Sequence, residues 1–164
     1  MSLKHQLQTE LNQALKDGAP LKRSVLGMVI TALKNRELAK RSQLSQTISA
    51  TAELEEKSQL TDEEVMAVIA GEVKKRKEAL EQFTSGGRRD LAEKEQAELM
   101  ILEKYLPAQL SEAAIRPIVK TVITETGAKT VKDIGKVIGA VLARLPGQTD
   151  GATVGRIVKQ ELAN

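Results

Sequence analysis

The sequence predicts an all-α protein: an N-terminal multihelical bundle of long helices over residues 1–108, followed by a small three-helix C-terminal domain over 109–164. Three observations carry this. Apolar residues recur at spacings of three and four along every long segment, the pattern of amphipathic helices. Helix start and stop residues fall between those segments, as at Gly18, Thr61 and Gly127. The stretch RRDLAEKEQAELMILEKYLPAQL, Arg88–Leu110, runs into Pro107, and Ser111 just beyond is suited to cap a new helix. The boundary between the two parts therefore lies at Pro107–Ser111.

Residues 3–17 form the first helix, with Leu3, Leu7, Leu11, Ala14 and Leu15 on its apolar side and Gly18 as a left-handed cap. Pro20 opens the second helix, since its missing N–H costs nothing in a first turn. That helix carries Val25, Leu26, Val29, Ile30, Leu33 and Leu38 and reaches about Arg41. Residues 42–60, rich in Ser, Thr and Gln, read as a mobile surface connection with one weak turn around Ala52–Lys57. Thr61 and Glu64 make a capping box for a long helix to about Thr84, striped by Val65, Val68, Ile69, Val73, Leu80 and Phe83. Gly71 weakens that helix by about 1 kcal/mol unless a neighbour approaches closely. Its run Lys74-Lys75-Arg76-Lys77 points in four directions about 100° apart and reads as a solvated, ion-paired surface.

After the Ser85-Gly86-Gly87 break, the Arg88–Leu110 helix places Leu91, Leu99, Leu102 and Leu106 on one side, with glutamates, among them Glu98, over the rest, and stops at Leu106. Ser111–Thr126 is next; Pro117 inside it implies a kink or a late start near Arg116. Thr130 caps a second short helix bearing Val131, Ile134, Val137, Ile138, Val141 and Leu142, and Asp150 opens a third with Val154, Ile157, Val158 and Leu162 buried. Gly135 and Gly139, four apart beside Lys136, read first as close helix packing and second as a ligand contact.

Composition narrows the function. Cysteine is absent, so disulfides, thiol nucleophiles and thiolate zinc sites are excluded. His5 is the only histidine and reads as a solvated side chain; no metal site and no cofactor is expected. The only aromatics are Phe83 and Tyr105, which removes the stacking platform of single-strand nucleic-acid binders. No apolar run approaches the ~18 residues of a membrane span, and the first residues are too polar for a secretory signal. A cytoplasmic, membrane-free protein is expected. Phosphate-binding loops, HExxH and Gly-x-Ser-x-Gly are missing, so no catalytic residue is nominated; an enzyme would need a site the sequence does not show.

The net charge of +3 is uneven: residues 1–110 hold 17 basic and 17 acidic side chains, residues 111–164 eight and five. A small basic module beside a neutral one hints at an anionic partner, although +3 is also ordinary for solubility. Phosphate contacts would come from the C-terminal basic residues, Lys129, Lys132, Lys136, Arg144, Arg156 and Lys159. The alternative is a helical protein-interaction module with no nucleic-acid ligand. Clustering of the basic residues favours the first reading, an exposed apolar groove the second.

The segment GGRRDLAEKEQAELMILEKYLPAQLSEAAI resembles the central signature of the YqeY-like proteins. RSVLGMVITALKNREL, EVKKRKEALEQF and DIGKVIGAVLARLPGQTDGATVGRIVKQEL match in order. These proteins resemble the tail of the B subunit of glutamine-dependent aminoacyl-tRNA amidotransferase. The resemblance implies a helical bundle with a three-helix tail and a link to tRNA, as an accessory or binding module without catalysis of its own. It implies tRNA, and a protein of the translation or aminoacyl-tRNA machinery, as partners. The tail's expected phosphate contacts are Lys132, Lys136, Arg144, Arg156 and Lys159, of which Lys136 and Lys159 match the family pattern. The chain departs from the family pattern at Gly27, where a basic residue is usual, and at Pro146-Gly147-Gln148, where Lys-Gly-Arg is usual.

Overall fold

A computed structural model describes residues 1–163; the side chain of Val131, expected on a buried face, lies outside the described residues. The described residues form eight α-helices and two single 3-10 turns, with no strand among them. They gather into two compact units, Met1–Tyr105 and Leu106–Asn164.

The first unit holds α1 (Leu3–Lys16), α2 (Pro20–Leu44), α3 (Thr51–Ser58), α4 (Asp62–Ser85), α5 (Arg89–Leu102) and a 3-10 turn, Glu103–Tyr105. Local chemistry sets the boundaries. The Ser2 side chain accepts from the His5 amide, Pro20 opens α2, and Gly18 takes φ +63 between them. Thr61 and Glu64 exchange both bonds of the capping box. α5 packs along α4, α1 along α2. Leu7, Leu26, Leu33, Ile69 and Leu102 are fully buried between them, each worth about 1.5–3 kcal/mol of transfer free energy.

Several expectations change. α2 runs to Leu44, and the weak turn around Ala52–Lys57 is the two-turn helix α3, supported by a Lys57–Glu53 pair at 2.6 Å. The helix after Gly87 ends at Leu102; its last turn tightens into the 3-10 form before Pro107, a common way to close a helix end. There the Tyr105 hydroxyl donates to Glu10 (2.7 Å), which also receives Lys22 (2.7 Å). Burial alone would raise the Glu10 carboxyl, but the bonds from Lys22, Tyr105 and Gln6 override it and hold its pKa at about 2. Leu15 and Leu38 are exposed rather than buried. No neighbour meets Gly71, whose missing side chain faces open space.

The basic run of α4 divides. Lys74, Lys75 and Lys77 are exposed and paired with Glu78, Glu72 and Glu103. Arg76 is not a surface residue: it is 6% exposed, with its Nε donating to Glu98 at 3.1 Å and Nη1 to Glu72 at 3.0 Å. Glu98 is 5% exposed, so the α5 glutamates do not all face solvent.

The second unit holds α6 (Glu112–Thr126), a 3-10 turn (Val131–Asp133), α7 (Ile134–Arg144) and α8 (Gly151–Leu162). Ser111 caps α6 through the Ala114 amide, Gly127 ends it at φ +65, and Asp150 caps α8 through the Thr153 amide at 2.8 Å. Ile115, Val119, Val137, Val141, Ile157 and Val158 form the core. Pro117 neither delays nor ends α6, which starts at Glu112; Pro117 and Ala113 are both exposed, so water can take the carbonyl that proline leaves unbonded.

Candidate nucleic-acid interface

The second unit spends its charges in two ways. α6 and α8 run side by side in the same direction, joined by a ladder of ion pairs. Arg156 donates to Glu112 through both guanidinium ends, Nη1 at 3.0 Å. Four residues further along each helix, Arg116 meets Gln160 (2.8 Å) and Glu161 (2.5 Å). Lys120 adds a looser contact to Glu161 at 3.5 Å. The hydrogen bond from Arg156 holds the Glu112 carboxyl below the usual carboxylate range, and the one from Arg116 does the same for Glu161. Arg144, the last residue of α7, pairs with Glu125 near the end of α6.

Two of the five expected contacts, Arg144 and Arg156, are therefore already held by carboxylates. Glu112 and Glu125 lie about 20 Å apart along α6 at its rise per residue, so the structure does not bring these arginines together. Lys132, Lys136 and Lys159 differ: all three are exposed and make no ion pair among the described residues. Lys159 stands on α8, one turn on from Arg156. Lys132 and Lys136 flank the start of α7, with exposed Lys129 just before them.

That start is built by Asp133. Its carboxylate accepts the amides of Lys129 (3.1 Å) and Thr130 (3.0 Å) and the Thr130 hydroxyl (3.0 Å). Thr130 does not cap α7 as expected: it precedes the 3-10 turn and its hydroxyl donates to Asp133, while α7 starts after Asp133 with no side-chain cap. These bonds, then the nearby charge of Lys136, lower the Asp133 carboxyl. The acid is tied to backbone, and the three lysines around it keep their positive charge toward solvent.

Besides Lys136 and Arg144, the exposed residues of α7 are Gly135, Gly139 and Ala143. Gly135 and Gly139 do not serve helix packing: nothing lies within 4 Å of where their Cβ atoms would be. Close packing falls instead to Gly151 and Gly155, where a Cβ on Gly155 would meet the Ile138 Cδ1 at 3.2 Å. Both pairs have the same four-residue spacing, so only the apolar face of α7 that receives α8 tells them apart. No group of three or more His, Cys, Asp or Glu side chains gathers as a metal site among the described residues, and no helix there is long and apolar enough to cross a membrane.

The fold and this surface define an all-helical, two-unit protein whose small second unit carries unpaired positive charge. The chain belongs to the YqeY-like family: the family profile described as Yqey-like protein matches residues 4–162. It is also similar to "Uncharacterized protein C22F3.15" of Schizosaccharomyces pombe, at 45% identity over 51 residues. That match covers 31% of this chain and 42% of the relative, so the chain spans less than half the length of that protein.

Proposed function

We propose that the chain is a cytoplasmic tRNA-directed accessory module, in which residues 109–164 act as the binding domain. The observation that carries this reading is the cluster of uncompensated lysines at the start of α7, Lys129, Lys132 and Lys136, beside an open glycine face. Phosphate oxygens attract such cations, and a helix face without side chains lets a sugar–phosphate backbone approach closely. Sequence likeness to the amidotransferase B-subunit tail supports RNA, and tRNA in particular, as the polyanion. Lys132, Lys136 and Lys159 are the primary contacts. Arg144 and Arg156 contribute after exchanging Glu125 and Glu112 for phosphate, which weakens their net gain.

Binding of the full-length chain to bulk tRNA across a salt series tests this. The affinity should fall on a log–log plot by about 0.7–0.9 per phosphate contact. A Lys132→Glu/Lys136→Glu variant should flatten that slope by about 2 without changing helical circular dichroism. It is a cleaner probe than Arg156→Glu, which would set a second carboxylate against Glu112. Absence of binding at about 50 mM salt, where electrostatic attraction is strongest, would overturn the reading.

A further inference from the structure

The neutral balance of the first unit conceals an uncompensated surface on α2. Arg23, Lys34 and Arg41 are separated by eleven and seven residues, which at 100° per residue places them within about 20° of one line along the helix, over about 27 Å. None of the three makes an ion pair among the described residues. The other lysines of α2 behave differently: Lys22 pairs with Glu10 at 2.7 Å and Lys40 with Glu64 at 2.8 Å. The only acid of α2, Glu37, is occupied by Lys4 at 2.6 Å.

Apolar surface lies beside this line. Leu38, about 60° round the helix from it, is 64% exposed. Two shallow clefts open here, one of about 410 Å³ bordered by Lys34, Leu38 and Arg41, the other of about 630 Å³ bordered by Arg23, Gly27 and Met28. Glu55 also borders the first and confines a partner's acids to the Lys34 and Arg41 side.

We propose that this face docks an acidic amphipathic helix of a protein partner. Its carboxylates meet Arg23, Lys34 and Arg41, and its apolar side chains cover Leu38. Charge complementarity selects the acidic partner. The leucine selects protein over nucleic acid, since phosphates leave it uncovered. The face also has no aromatic ring on which a base could stack; Phe83 and Tyr105, the only two in the chain, lie on other elements. Spacings of seven and eleven repeat on a second helix with the same periodicity, so one partner helix can answer all three cations.

The test uses the full-length, isotopically labelled chain. One probe is a synthetic helical peptide of about 25 residues, with glutamates spaced by eleven and seven beside a leucine stripe; the other is its scrambled counterpart. Amide shifts should concentrate at Arg23, Gly27, Thr31, Lys34, Leu38 and Arg41, and the scrambled peptide should bind at least about tenfold more weakly. Arg23→Glu/Lys34→Glu should abolish the shifts, and Leu38→Ser should remove the part of the affinity that survives high salt. Equal binding of both peptides, or shifts on other helices, overturns the proposal. So does a short single-stranded RNA that perturbs these residues when the peptide does not, or self-association of the chain that covers them.

Discussion

The two units solve the same problem, fixing helices against one another, with opposite uses of charge. The first buries it: Arg76 and Glu98 join α4 to α5 at 6% and 5% exposure. The second keeps its ion pairs outside and builds its core from Ile, Val and Leu with caps at the helix ends. The helix starts explain part of the contrast: α5 begins without a side-chain cap, whereas α6 and α8 begin on Ser111 and Asp150. α4 has 24 residues, and a long apolar stripe can slide by one turn without changing character. A buried, hydrogen-bonded ion pair permits one register, because any slip leaves a charge unpaired. The helices of the second unit have 11 to 15 residues, and α6 and α8 are pinned by side-chain caps at their starts, so packing of branched side chains suffices.

The sharpest way to break this contrast is Glu98→Ala, which leaves the buried Arg76 with Glu72 as its only carboxylate. It should cost up to about 3 kcal/mol, the low end for a broken buried pair because Arg76 keeps its bonds to Glu72, read by urea denaturation. The double change Arg76→Met/Glu98→Leu should recover most of that loss if the pair specifies register rather than stability. A smaller effect is expected at Glu10. Its folded pKa of about 2 lies below the ordinary glutamate value of 4.5, so its contribution is present above pH 4.5 and is lost as pH falls toward 2. Glu10→Gln should therefore lower stability by about 1–2 kcal/mol at neutral pH, discounted for partial exposure. The difference from the wild type should vanish on acidification. The smallest effect belongs to the second unit. Gly139→Ala, with nothing within 4 Å, should stabilise α7 by about 0.5–1 kcal/mol. If the glycine face meets tRNA, the same substitution should weaken binding.

What could be read in the sequence was local. The capping box at Thr61, the caps at Ser111 and Asp150 and the left-handed glycines 18 and 127 depend on residues within a turn of one another. What could not be read was pairing at a distance. Arg76 looks like one of four surface cations until Glu98, 22 residues away, arrives beside it. Gly135 and Gly151 begin identical spacings, yet only the second meets a neighbour. The zero charge of residues 1–110 was correct as a sum and silent about α2, because a sum does not say which cations find partners. In the tail, the same limit kept Lys132, Lys136 and Lys159 in one group with Arg144 and Arg156, which the fold separates by their bonds to α6.

The hydrogen bond from Tyr105 to Glu10 spans 95 residues, nearly the full length of the first unit. It ties the first helix to the last turn, so this contact closes a long loop. During synthesis, α1 leaves the ribosome long before Tyr105 does. The carboxylate of Glu10 must wait for its hydroxyl until the whole bundle has been made, and a chain stopped within α5 would carry an unlatched first helix.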